Sequence, residues 1–185
     1  MKTEGESIGQ SLISVTLRPL HVDDSDLLFE LYVADRAFLT PFDPARSESF
    51  YTREGQRASL EQLERDRKAD AGYRFLIEAG GEPAGVISVS RITRGPFQNA
   101  GLGYWVAKRL NGRGVATKAV QLVCEWGFGE AGLHRLEAAT LTDNVASQTV
   151  LTRNGFSEIG LCRNYLEIAG HWRDHLLFQR TVEDA

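Results

Sequence analysis

Two glycines one residue apart, Gly112 and Gly114, stand between an apolar run that reads as a strand (102–107) and a long amphipathic segment. No other stretch constrains the fold as tightly, because it demands a strand, a tight turn and a helix start in immediate succession. Glycine admits backbone conformations closed to other residues and lets a ligand approach the main chain. A helix N-terminus offers unpaired N–H groups and a partial positive charge. Together they form a cradle for phosphate. The bland alternative is a strand-to-helix connection that binds nothing. Two common phosphate loops do not fit. A Walker loop needs four residues between its glycines and then Gly-Lys-Ser/Thr, and the chain has no such run. A dinucleotide fingerprint needs Gly or Ala where Thr117 stands, early in a βαβ unit, whereas this loop lies in mid-chain after hairpin-like sequence.

Hydrophobic period sets the other elements. Residues 14–18 alternate and read as a strand. The segment 21–34 opens with acidic caps and places Leu27, Leu28, Leu31 and Tyr32 at helical spacing. Prolines break 40–47 into a loop. Residues 54–71 are charged, with Leu60 and Leu63 as a thin apolar stripe, which predicts a helix lying on the surface. Residues 73–79 and 82–92 flank Gly80 and Gly81 and read as a hairpin. After the turn 94–99 comes the strand before the glycine loop. The helix after that loop places Val115, Ala119, Leu122 and Trp126 on one face. Residues 135–141 read as a strand, 145–154 as a helix stopped by Gly155, and 157–169 and 171–181 as strands around Gly170. This order predicts a mixed α/β fold.

The chain has 185 residues, enough for one domain with a real core. Residues 1–13 are polar and predict a flexible tail; 14–183 predict a single domain. A net charge of −4 argues against a nucleic-acid binder. No apolar stretch reaches a membrane span and no signal peptide opens the chain, so the expectation is a cytoplasmic protein that engages no membrane, as monomer or homodimer. Cys124 and Cys162 lie in apolar-patterned segments and predict buried free thiols. His171 and His175 flank Asp174, yet residues four apart on a strand lie about 13 Å apart, too far to share an ion. No metal is expected. No Ser-His-Asp arrangement has a recognisable nucleophile setting.

Three ordered motifs carry a resemblance. Arg109, Gly112 and Gly114 follow a strand in the pattern Arg/Gln-x-x-Gly-x-Gly/Ala. Residues 134–156 contain a strand, Asn-x-x-Ser at Asn144 and Ser147, and Val-Leu-x-x-x-Gly-Phe. Residues 163–175 form a hairpin sequence with Trp172, Asp174 and His175. The chain resembles the GCN5-related N-acetyltransferases (GNAT), and residues 92–106 and 163–175 resemble the RimJ/RimL-type branch, on the RimJ side. The resemblance spans about residues 15–182. It implies a GNAT fold: a mixed, mostly antiparallel central sheet flanked by helices and splayed between the fourth and fifth strands, with acetyl-CoA as co-substrate in the opening.

On that resemblance the pyrophosphate sits on the amides of Arg113, Gly114, Val115, Ala116 and Thr117, with charge from Arg113 and Lys118 and a hydroxyl from Thr117. The backbone of Trp105 and Val106 pairs with the pantetheine arm, and the Val106 amide polarises the thioester oxygen; the Trp105 side chain serves equally as core. Asn144 takes the pantetheine amides, although N-capping by Asp143 or Asn144 competes. Ser147 is the candidate to protonate or hydrogen-bond the departing thiolate, with Tyr165 as second candidate. The strand 102–107 has no carboxylate. Glu137 is retained as a candidate base on a later strand, like Glu167, although each equally suits a structural role. The implied acceptor is a protein N-terminus, the alanine of a ribosomal protein. The same chemistry on a free small amine, and a non-catalytic CoA-binding module, are the alternatives.

Overall fold

The computed structural model describes residues 13–184. The expected tail lies outside the described residues except at Ile13, which packs against the core. Seven strands form one sheet in the order β1-β2-β3-β4-β5-β7-β6: β1 Val15–Pro19, β2 Gly72–Ala79, β3 Glu82–Thr93, β4 Asn99–Val106, β5 Arg135–Leu141, β6 Ser157–Ile168 and β7 His171–Thr181. Every neighbouring pair is antiparallel except β4 and β5. Four α-helices cover the sheet: α1 Ser25–Leu39, α2 Arg53–Lys68, α3 Val115–Phe128 and α4 Val145–Arg153. This is the α/β GNAT architecture. No helix among the described residues is long and apolar enough to cross a membrane.

The period-2 alternation of the strands divides the core. On β2 and β3, Ile77 and Ile87 face one side, with Val115 and Val123 of α3 and Leu151 of α4. Their neighbours Leu76 and Val86 face the other side, with Leu28 of α1 and Leu60 and Leu63 of α2.

The parallel ladder between β4 and β5 runs only from Asn99–Arg135 to Leu102–Ala138. Beyond it, β4 stays with β3 as far as Val106, and β5 stays with β7 as far as Leu141. The sheet therefore opens between the fourth and fifth strands. Gly85 of β3 fixes one wall of this opening: a Cβ there would lie 2.2 Å from the Trp105 carbonyl oxygen. Only glycine lets β3 run this close to the end of β4.

Helix α2 lies on the surface as read, with its stripe residues Leu60 and Leu63 buried; Gln56 joins them, its side chain donating to the Phe50 carbonyl at 2.6 Å. Two local expectations need correction. The buried stripe of α3 runs through Val115, Ala119, Val120, Val123, Cys124 and Gly127. Leu122 and Trp126 lie at its margin, because two packed neighbours, the sheet and α4, widen the stripe and turn it. Both cysteines are free, but only Cys124 is buried; Cys162 is half-buried on the edge strand β6. Helix α4 does end as read: Gly155 takes φ 75°, the Phe156 amide donates to the Leu151 carbonyl and the Gly155 amide to the Thr152 carbonyl.

Candidate active site

A cleft of about 470 Å³ opens where β4 and β5 part. One wall is the end of β4, with Tyr104, Trp105 and Val106. The glycine loop and the first turn of α3 supply Gly112, Gly114, Val115, Ala116 and Thr117. Helix α4 and its cap supply Asn144, Ser147, Val150 and Arg153, and the end of α1 and the turn after it close the rim with Phe38, Leu39 and Phe42.

The loop presents its backbone to the cleft. Gly112 and Gly114 take φ 74° and 78°, and a Cβ at either would meet nothing within 4 Å. The first bond into α3 runs from the Lys118 amide to the Gly114 carbonyl at 3.0 Å. Helix geometry then leaves the amides of Val115, Ala116 and Thr117 without an acceptor behind them. The Arg113 amide differs, because it donates to the Leu110 carbonyl at 3.4 Å. Of the amides in the run 113–117, those of Val115, Ala116 and Thr117 thus have no acceptor within the helix. Arg109 anchors the loop from outside, its guanidinium donating to the Pro83 carbonyl at 2.6 Å.

The edge of β4 is equally open. The Ala107 amide donates to the Ala84 carbonyl at 2.7 Å, toward β3. Successive amides alternate sides along a strand, so the Val106 N–H faces the gap that β5 has left. An extended, amide-bearing arm fits there as an added strand. The Trp105 side chain points to the opposite core, where its Nε1–H donates to the Tyr32 hydroxyl at 3.2 Å and the rings lie 4.9 Å apart.

Asn144 caps α4, its Oδ1 accepting the Ser147 amide at 3.1 Å. The cap uses the carbonyl oxygen, which leaves the Nδ2 group for a ligand carbonyl in the cleft. Ser147 Oγ lies 2.9 Å from the Tyr104 hydroxyl. Burial pushes the Tyr104 phenol up to about 12, against the opposing pull of its hydrogen bond to Ser147. A free amide donor, a helix N-terminus, an unpaired strand edge and a serine hydroxyl thus converge on one cleft, a donor set that suits acetyl-CoA.

The acetyltransferase (GNAT) domain family matches residues 14–157 of the sequence. The chain belongs to the GNAT acetyltransferases. It is 35% identical over 164 residues to a probable N-acetyltransferase, YjcK, of Bacillus subtilis, covering 88% of this chain and 91% of that one. It is 30% identical over 172 residues to the ribosomal protein uS5-alanine N-acetyltransferase of Escherichia coli, covering 92% and 89%. The structure superposes on that of Mycobacterium smegmatis RimJ in complex with CoA-disulfide with a TM-score of 0.88 and 33% identity, covering 92% and 83%. The GNAT chain is thus of the RimJ/RimL type, an enzyme that moves an acetyl group from acetyl-CoA to an amine.

Within this GNAT fold the expected site residues separate into two groups. Trp105, Val106, Gly112, Gly114, Val115, Ala116, Thr117, Asn144 and Ser147 line the cleft; Arg109 and the exposed Arg113 flank it. Glu137 and Tyr165 do not line it. Glu137 sits where β4 and β5 still pair, opposite Gly101 and Gln179. Tyr165 lies in the irregular stretch of β6, its ring centroid 5.3 Å from that of the buried His175. The hydroxyl beside Ser147 belongs instead to Tyr104, within the motif strand itself. Alternation along β4 is the signal: Tyr104 shares a face with Leu102 and Val106, toward α3 and α4. Arg153 adds a cation that the motifs do not name; it is one helical turn beyond Val150, on the same face.

Proposed function

We propose that the enzyme acetylates the N-terminal α-amine of a protein, preferably behind a small first residue such as the alanine of a ribosomal protein, in the cytoplasm. One observation carries the reading: among the described residues that line the cleft, none has a carboxylate. A lysine acceptor, with pKa about 10.4, costs roughly 4–5 kcal/mol to deprotonate at pH 7, whereas an α-amine near 7.7–8.0 costs on the order of 1. Only the second can react without a strong base in the cleft. The likeness to the uS5-alanine N-acetyltransferase along 92% of the chain supports the same class of acceptor.

Bound acetyl-CoA supplies an activated acetyl thioester. The amides of Val115, Ala116 and Thr117 hold its phosphates, assisted by Arg113 and Arg153. The β4 edge and the Asn144 Nδ2 group orient the pantetheine arm. The Val106 N–H stabilises the oxygen that gains charge as the amine attacks. Ser147 hydrogen-bonds the sulfur as the C–S bond breaks, and the proton released by the amine passes to water. Catalysis rests on orientation and on charge stabilisation.

Mass spectrometry of a panel of peptides, lysine side chains and free small amines tests the assignment. The expected product is acetylated at the α-nitrogen, and the rate at subsaturating acceptor rises with pH until near 8 and then levels, following the acceptor's own ionisation. Acetylation confined to lysine side chains, or to small amines with peptides inert, refutes it.

A further inference from the structure

Helix α4 carries three hydroxyl side chains besides its cap, and they are used differently. Thr149 donates to the Val145 carbonyl at 2.8 Å and Thr152 to the Gln148 carbonyl at 2.9 Å, each four residues back. These two protons are tied to the backbone. Ser147 has no such acceptor in the helix. The residue four back, Asp143, precedes the helix, and its carbonyl already accepts the Val145 amide at 3.0 Å. Ser147 Oγ instead meets the Tyr104 hydroxyl at 2.9 Å, and that same phenol lies 3.3 Å from the Ser147 carbonyl oxygen. The phenol has one proton and two Ser147 oxygens within reach; Oγ is the nearer, and a proton directed between the two leaves Oγ an acceptor. Burial holds the Tyr104 phenol protonated across the working pH range.

We propose that Tyr104 is a positioning residue whose O–H donates to Ser147 Oγ, so that the Ser147 proton remains free and aimed into the cleft. A serine whose oxygen already accepts a hydrogen bond is also the stronger donor, because chained hydrogen bonds polarise one another. The inference rests on the reading of Ser147 as the hydrogen-bond donor to the departing sulfur. It assigns that serine its direction, and it explains why a phenol stands on β4 at this point.

Three variants separate the possibilities: Ser147→Ala, Tyr104→Phe and the double variant. The first readout is the ionisation of the CoA thiol in the binary complex, followed by thiolate absorbance in the ultraviolet. A donor aimed at sulfur lowers that pKa from its free value. Both single variants should raise it to one common value, and the double variant should match them. The second readout is kinetic: kcat falls about tenfold in each single variant, no further in the double, while the KM for acetyl-CoA stays within about twofold. A loss in Ser147→Ala with Tyr104→Phe behaving as wild type overturns the positioning role and leaves the Ser147 reading intact. No effect of Ser147→Ala overturns the reading beneath it. Losses that add in the double variant show two independent roles and overturn the coupling. If melting shows Tyr104→Phe to be poorly folded, a tyrosine fluorinated beside its hydroxyl at position 104 keeps the ring and strengthens the donor. The thiol pKa then moves further down, and an unchanged value overturns the proposal.

Discussion

Gly114 shows how a single residue can belong to the ligand more than to the fold. Its φ of 78° admits few side chains, yet a Cβ there meets nothing within 4 Å, so the strain is local and the space beyond it is the cleft. Gly114→Glu should therefore leave a folded protein while placing bulk and negative charge beside the proposed phosphate site. CoA affinity is expected to fall at least tenfold, about 1.4 kcal/mol. Gly114→Asn, which tolerates the same φ, isolates the effect of backbone strain from that of charge. Calorimetry showing equal Kd values for Gly114→Glu and wild type would remove the loop from the site. Asn144 makes the companion point. Its two reasonable roles, cap and ligand contact, use different atoms of one side chain, so each is compatible with the other.

At the scale of elements, the opening of the sheet depends on how closely β3 holds the end of β4. Gly85 stands opposite Val106, and its missing Cβ would lie 2.2 Å from the Trp105 carbonyl oxygen and 2.9 Å from the Val106 Cα. Both contacts are backbone, so no rotamer change can relieve them. Gly85→Ala is expected to destabilise the protein by about 1–3 kcal/mol, as overpacking does. It should also weaken CoA binding, because the strand that must yield presents the Val106 N–H. Denaturant unfolding together with CoA calorimetry checks both effects, and a stable variant with unchanged affinity would show that β4 has slack here. Helices α3 and α4 are placed by the same logic. Each begins at the cleft, and the apolar stripe of α3 and the buried Leu151 of α4, packed into one core, hold the two N-termini there.

Across the whole molecule, ion pairs tie connecting segments to the sheet. Arg18 on β1 holds Asp24, at the entrance to α1, through bonds of 2.7 and 2.9 Å. Arg94, in the turn before β4, holds Asp70, just beyond α2, at 2.9 Å. The hydrogen bonds from these arginines pull both carboxyls below their usual range. A carboxylate depressed in the folded state stabilises the protein above the unfolded value near 3.9 and loses that contribution as pH falls through the folded value. The melting temperature should thus be insensitive to these two groups near neutrality and fall more steeply with acidity below about pH 4. Arg18→Ala should flatten the acid limb while lowering stability at pH 7. An unchanged acid limb would show that the pair makes no net contribution, as exposed pairs often do not.

The glycine loop, the Asn-x-x-Ser start of α4 and the glycine stop at Gly155 were all legible in the sequence, because each depends on neighbours a few residues apart. A glycine at positive φ, a cap and a C′ stop are local backbone conditions, and residue type alone reports them. The family motifs rest on the same short range. The partner of Ser147 was not legible in that way. Tyr165 and Tyr104 are chemically equal in the sequence, and only the register of β4 brings the second to Ser147 from 43 positions away. The edge position of β6, which leaves Cys162 half-buried, is likewise a matter of sheet order, as is the seat of Glu137 where β4 and β5 still pair. Local conformation follows from local chemistry, whereas which side chains meet across a sheet depends on how twisted, separately paired strands close over a shared core.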